Sequence, residues 1–177
     1  MGKQILTTDR LILREMDWDD FDALCRILRD RDVMYAYEHA FSEEEARAWL
    51  AKRMQQYADW GFSLWAVTLR ETGEMIGQCG LTWQDAGGEP LLEVGYLFQK
   101  AFWHRGYATE AAIACRDYAF DTLHAPLVCA IIRDNNAASQ RVARRCGMTS
   151  VRTFVKHYYG IDMPHLVFTA SHPKERQ

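Results

Sequence analysis

Apolar and polar positions along the chain alternate in short strand-like runs separated by longer helical patterns. Leu11 to Glu15 predicts a first strand, and the D-W-D-D that follows offers capping acids for a helix over Phe21 to Arg29. Ser42 and Glu45 form a capping box, after which Ala46, Trp49, Leu50 and Met54 recur at helical spacing until Gly61. Phe62 to Leu69 and Met75 to Trp83 predict two strands joined by the hairpin turn E-T-G-E, and Leu91 to Phe98 a further one. Ala111, Ala112, Cys115, Tyr118 and Ala119 form the apolar stripe of a helix from Thr109 to about Leu123. Pro126 to Ile132 predicts a strand and Asn136 to Arg145 a short helix closed by Gly147. Val151 to Val155 and Leu166 to Thr169 predict a last strand pair, with a loop between them. The fold class is α/β (α+β) without internal repeats, and the long helix between two strands favours one parallel pair among antiparallel hairpins.

Composition narrows the class. With 177 residues, 49% apolar and 12% aromatic, the chain suits one well-filled core, a single domain over residues 1–177. No stretch of 18 apolar residues occurs and Met1 to Thr8 lacks signal-peptide sections, so no membrane partner is expected. Cys25, Cys79, Cys115, Cys129 and Cys146 are odd in number and sit in apolar segments, which suits reduced thiols in a cytoplasmic protein rather than a disulfide framework or zinc site. A net charge of −3 argues against direct nucleic-acid binding. Basic residues still gather at Lys100, His104 and Arg105, and again at Arg133, Arg141, Arg144 and Arg145, where a small anion can be held.

The stretch from Glu93 to Ala112, E-V-G-Y-L-F-Q-K-A-F-W-H-R-G-Y-A-T-E-A-A, is an apolar strand, a basic turn around one glycine and an alanine-rich helix. Free N–H groups and the dipole at a helix start make such a turn a phosphate holder. The usual nucleotide signatures, G-x-x-x-x-G-K-[ST] and G-x-G-x-x-G, are absent.

The turn Trp103 to Ala108, W-H-R-G-Y-A, together with N-N-A-A-S-Q-R-V-A-R-R-C-G-M from Asn135 to Met148, resembles the Gcn-related N-acetyltransferase (GNAT) superfamily, and within it the RimJ/RimL branch. The resemblance extends from the T-D-R-L-I-L-R opening to the last strands. It implies a twisted, mostly antiparallel sheet of about seven strands flanked by about four helices, with a splayed parallel pair at the cofactor site. It also implies acetyl-CoA as co-substrate and no metal. The backbone from Trp103 through His104, Arg105, Gly106, Tyr107, Ala108 and Thr109 would hold the pyrophosphate, with Trp103 in the family's Gln/Arg position. Leu97 and Phe98 would bond the pantetheine arm through their main chain, and Asn136 would contact it, a role compatible with capping the helix.

Glu93, a carboxylate on an otherwise apolar strand, is the candidate general base, the alternative being a plain bond to neighbouring backbone. Many relatives carry a leaving-group tyrosine seven residues after the motif Asn; Ala143 stands there. Ser139 matches a Ser of the RimJ/RimL type and would protonate the thiolate, the alternative being a bond to local backbone. Tyr35, Tyr37, Glu38 and His39, with His157, Tyr158, Tyr159, Asp162 and His165 from the expected loop, are candidate walls for the acceptor.

The expected activity is direct acetyl transfer to a primary amine, a peptide N-terminus or a small molecule. A polyamine or antibiotic acceptor, another acyl-CoA, a CoA-binding module without catalysis, and a homodimer all stay open. An α-amino group is roughly 15% neutral at pH 7 and a lysine about 0.04%, a gap of about 3.5 kcal/mol, so a weak base suffices for an N-terminal acceptor.

Overall fold

Strand periodicity decides which face each helix covers. The computed structural model describes residues 2–158 and 160–172 of the 177. Among these residues eight strands are formed: β1 (Gln4–Thr7), β2 (Leu11–Arg14), β3 (Leu64–Leu69), β4 (Met75–Asp85), β5 (Pro90–Phe98), β6 (Leu127–Arg133), β7 (Thr149–Tyr158) and β8 (Ile161–Ser171). Four α-helices accompany them: α1 (Phe21–Leu28), α2 (Glu43–Trp60), α3 (Tyr107–Asp121) and α4 (Ala137–Arg145). The strands make one sheet in the order β1-β2-β3-β4-β5-β6-β8-β7, in which only β5 and β6 run parallel. This is the expected mixed architecture.

On β3, Trp65 and Val67 join a core with Ala111, Ala112, Cys115 and Ala119 of α3, while Leu64 and Ala66 join Leu24, Ile27 and Leu28 of α1 and Leu50 of α2. Successive strand residues point to opposite faces, so a strand covered on both sides reads as an unbroken apolar run. The Ser42–Glu45 capping box opens α2 as expected, each side chain bonding the other residue's N–H.

Three features depart from the sequence reading. The four-residue edge strand β1 brings the strands to eight, and its Q-I-L-T is too short to announce itself. α3 begins at Tyr107, two residues before the expected Thr109, because Gly106 serves as its N-cap. The expected loop around His157 and His165 is instead a hairpin, paired from Thr149↔Thr169 to Tyr158↔Ile161. β7 contains the expected Val151–Val155 strand and lies at the sheet edge with Val151 and Val155 exposed and Arg152 and Lys156 half-buried, so its polarity pattern is inverted and conceals how far the strand extends. Tyr159 and the side chain of Tyr158 lie outside the described residues.

Candidate active site

The site begins where the sheet opens. β5 and β6 are in register at one pair, Glu93 opposite Cys129. Past that pair Val94 to Leu97 and Ala130 to Arg133 line a cavity of about 330 Å³. A second cavity of about 480 Å³ runs along Leu97, Phe98 and Trp103 to the first turn of α3 and one side of α4. Val33, Tyr96, Leu97, Asn136 and Ser139 line both cavities, so the two meet at the mouth of the opened strands.

Glu93 faces the first cavity from mid-strand, half-buried. Its Oε1 accepts the main-chain N–H of Ile131 at 3.0 Å. An opened parallel pair leaves strand amides without their ladder partners, and this carboxylate satisfies one of them. Burial pushes the carboxyl up to about 7, against the pull of the Ile131 N–H and of the positive Lys156 and Arg53. Glu93 thus has the backbone partner of one sequence reading, and its raised carboxyl is compatible with the other, the general base.

The basic turn is shaped by backbone conformation. Gly106 has φ +81° and caps α3 without a side-chain hydrogen bond, so the first amides of the helix get no side-chain acceptor from it. His104, Gly106, Tyr107, Ala108 and Thr109 line the second cavity. Arg105 does not; its carbonyl accepts from Arg10 Nη1 at 3.0 Å and its guanidinium stands over Phe102. Trp103 lines the cavity but spends its indole N–H on the Phe98 carbonyl at 2.9 Å, which ties the turn to the end of β5.

A brace from the opening strands holds this turn. Arg10 pairs with Glu110 at 2.7 Å and stacks over the Tyr107 ring at 4.4 Å, and the Thr8 hydroxyl donates to Glu110 at 2.6 Å. In the sequence these residues do not stand out. Their signal was the T-D-R opening together with an acid in the first turn of α3.

At α4, Asn136 Oδ1 accepts both the N–H of Ser139 at 3.0 Å and the Tyr35 hydroxyl at 2.6 Å. It caps the helix, while its Nδ2 makes no hydrogen bond among the described residues. Ser139 Oγ likewise bonds no local backbone among them, and the Ser139 carbonyl accepts from Tyr96 at 2.8 Å. Tyr96 was missed because it reads as one more apolar strand position. Ala143 is a core residue, 1% exposed. A tyrosine side chain there would have to displace packed neighbours. Arg141 and Arg145, four residues apart on one face of α4, line the second cavity and add positive charge opposite the start of α3.

Of the acceptor candidates, Tyr37 and the buried His165 line the first cavity, and burial holds the His165 imidazole below its usual value. Tyr35 lines the second cavity instead. Glu38 ion-pairs with Arg133, while His39 is hydrogen-bonded to Glu45 and the exposed His157 to Asp162. Arg53, unremarkable in sequence as one more basic position on a helix, is buried against the first cavity.

Comparison with known proteins gives this geometry a family. The chain matches the "Acetyltransferase (GNAT) domain" family model over residues 10–149. It is 37% identical to the Bacillus subtilis protein YkkB, covering 88% of this chain and 91% of that one. It is 32% identical to the N-acetyltransferase YnaD of the same organism, covering 85% and 86%. Its fold is shared with RimL, the ribosomal L7/L12 alpha-N-protein acetyltransferase solved with coenzyme A, at a TM-score of 0.78 and 19% identity over 96% of this chain and 98% of that one. The strands parted at Glu93, the glycine-capped helix and the family match lead to one conclusion: the chain belongs to the GNAT acetyltransferase family and is an acyltransferase.

Proposed function

We propose that the protein transfers acetyl from acetyl-CoA directly to a primary amine, with a protein N-terminal α-amino group among its acceptors. The observation that carries this reading is the junction of the two cavities at Tyr96, Leu97, Asn136 and Ser139, with Glu93 on the acceptor side of it. The second cavity suits the cofactor: a helix start without a side-chain cap and two arginines of α4 for phosphates, and an apolar wall for the pantetheine arm. Acetyl-CoA supplies an activated acyl carbon and a thiolate leaving group.

The chain's own residues manage protons and position. As the amine nitrogen bonds the acyl carbon and the carbon–sulfur bond breaks, Glu93 takes the ammonium proton, directly or through water, and the Ser139 hydroxyl returns a proton to sulfur and is recharged by solvent. Asn136 Nδ2 and the Phe98 main-chain N–H hold the arm in register. The expected Leu97 main-chain contact is lost because Leu97 is hydrogen-bonded across to Gln78 of β4, and the Phe98 carbonyl already accepts the Trp103 indole. Placement in the RimJ/RimL-like branch is supported by Trp103 in the turn and Ser139 three residues after Asn136. Reduced thiols at five positions support a cytoplasmic setting.

The test is thiol release from acetyl-CoA across N-terminal peptides, polyamines and aminoglycosides, with the acetylated amine identified by mass. Acetyl-CoA raising the melting temperature while no amine stimulates thiol release would overturn the reading.

A further inference from the structure

The acceptor cavity holds cations that the transfer reaction by itself does not use. Arg53 is 5% exposed, lines this cavity, and lies with its guanidinium over the Trp49 ring at 4.3 Å. Among the described residues it has no hydrogen bond and no ion pair, and its Nε is buried without a partner. Trp49 is fixed beneath it, its indole N–H donating to Gln78 Oε1 at 3.0 Å and its ring edge-on to Tyr37 and Phe41. The guanidinium is thus held in place by stacking while its donors stay unspent.

Lys52 and Lys156 line the same cavity, again without an acid partner among the described residues, whereas Arg133 is neutralised by Glu38. Against these three cations the cavity offers, among the described residues, one carboxylate, Glu93. A buried guanidinium without an anion is unfavourable, and proteins keep one where a ligand brings the anion. A polycation would add to this charge. An amine carrying a carboxylate offsets it, and the surrounding positive field also favours the neutral, nucleophilic amine.

We infer that the acceptor is an amine bearing a carboxylate, with Arg53, held on Trp49, pairing the carboxylate while the amine lies toward Glu93 and the cavity junction. Two sources present this chemistry, a free amino acid and a peptide N-terminus followed by an acidic side chain. The inference rests on the transfer reading for its amine end alone.

The experiment measures kcat/KM for a ladder of ω-amino acids from β-alanine to aminohexanoate, each against its carboxamide. A second arm compares C-terminally amidated peptides with glutamate or glutamine after the N-terminal residue. The wild type prefers carboxylates by about tenfold or more in at least one arm, and the preferred arm names the source. Arg53→Met brings the ratio to near one without changing acetyl-CoA affinity, and Arg53→Lys, which keeps the charge, retains part of it. A wild type that uses carboxamides or diamines as well as carboxylates in both arms overturns the inference, as does an Arg53→Met protein that binds acetyl-CoA normally and keeps the preference.

Calorimetry of the CoA-bound protein with the N-acetylated products, carboxylate against carboxamide, reads the same contact without turnover. If no amine is acetylated the transfer reading falls, and this binding comparison still decides the anion contact: carboxylate preference lost in Arg53→Met upholds it, and equal binding ends it.

Discussion

Replacing Glu93 by Gln removes an ionisable group yet keeps an oxygen able to accept the Ile131 N–H. In the wild type, burial pushes this carboxyl from 4.5 to about 7, with the Ile131 N–H and the positive Lys156 and Arg53 opposing. That displacement corresponds to about 3.4 kcal/mol between the two protonation states. An acid whose folded value lies above its unfolded one binds more protons when folded, so its contribution is complete below 4.5 and is lost as pH rises through about 7. Between about pH 5 and about pH 8.5 the wild type therefore loses about 2.5 kcal/mol relative to Glu93→Gln, measurable by paired urea unfolding. The kinetic counterpart is an acidic limb in wild-type kcat/KM near pH 7, falling about tenfold per pH unit below it. An acceptor amine of low pKa keeps its own titration out of this window. Glu93→Gln loses that limb and runs about a hundredfold slower above it. Identical limbs in the two proteins refute Glu93 as the base, and parallel stability curves refute the buried carboxyl itself.

Gly106→Val forces a β-branched residue to φ +81°, where the nearest atom to an added Cβ is Arg10 Nη2 at 3.5 Å; the cost is backbone conformation, about 1–2 kcal/mol, together with an obstructed anion face. Titration with CoA should show affinity lowered about tenfold or more while the fold persists by circular dichroism. Arg10→Ala frees the Arg105 carbonyl and the Tyr107 ring, leaves Glu110 to the Thr8 hydroxyl and the main-chain N–H of position 10, and raises KM for acetyl-CoA severalfold in steady-state assays with kcat little changed. Because Arg10 is half-exposed, its loss costs stability only about 1 kcal/mol or less. Ala143→Tyr, which restores the family's tyrosine in name, overpacks a filled core and lowers stability by about 1–3 kcal/mol or more, seen as a fall in melting temperature without a gain in rate.

What the sequence disclosed follows from the range of the interactions involved. Capping at Ser42, the α3 stripe and the Gly106 turn are set by neighbours in the chain, and the structure reproduces them. The length of the β7–β8 hairpin was concealed, because an edge strand carries its apolar residues outward and lets polar ones be covered by its partner. At the site, Glu93 stood out as a carboxylate in an apolar run. Arg10 and Tyr96 did not, because each gains its meaning from a residue distant in sequence, Glu110 and Ser139; Arg53 lies one helical turn from Trp49 and gains its meaning from the cavity it faces. Arg105 illustrates the converse, a basic residue in the right segment whose side chain faces Phe102 rather than the groove.

The missing tyrosine acid and the charged acceptor cavity belong to one account of the chemistry. Ala143 lies in the core, so this chain has given that position to packing. Among the described residues the hydroxyls that line both cavities are those of Ser139 and Tyr96, with Tyr35 bonded to Asn136 alongside. Tyr96 donates to the Ser139 carbonyl and Tyr35 to Asn136, which leaves Ser139 as the hydroxyl with a proton to offer. A serine is a weak acid, yet a thiol of pKa near 8.5 leaves tolerably as a thiolate, so protonation of sulfur need not limit the rate. The harder requirement is a neutral amine, and there the cavity is better equipped. Lys52, Arg53 and Lys156 oppose an ammonium charge electrostatically, while Glu93 is poised near neutrality to take its proton. In the proposed transfer, proton removal from the nucleophile, rather than proton delivery to the leaving group, is thus the step these charges favour.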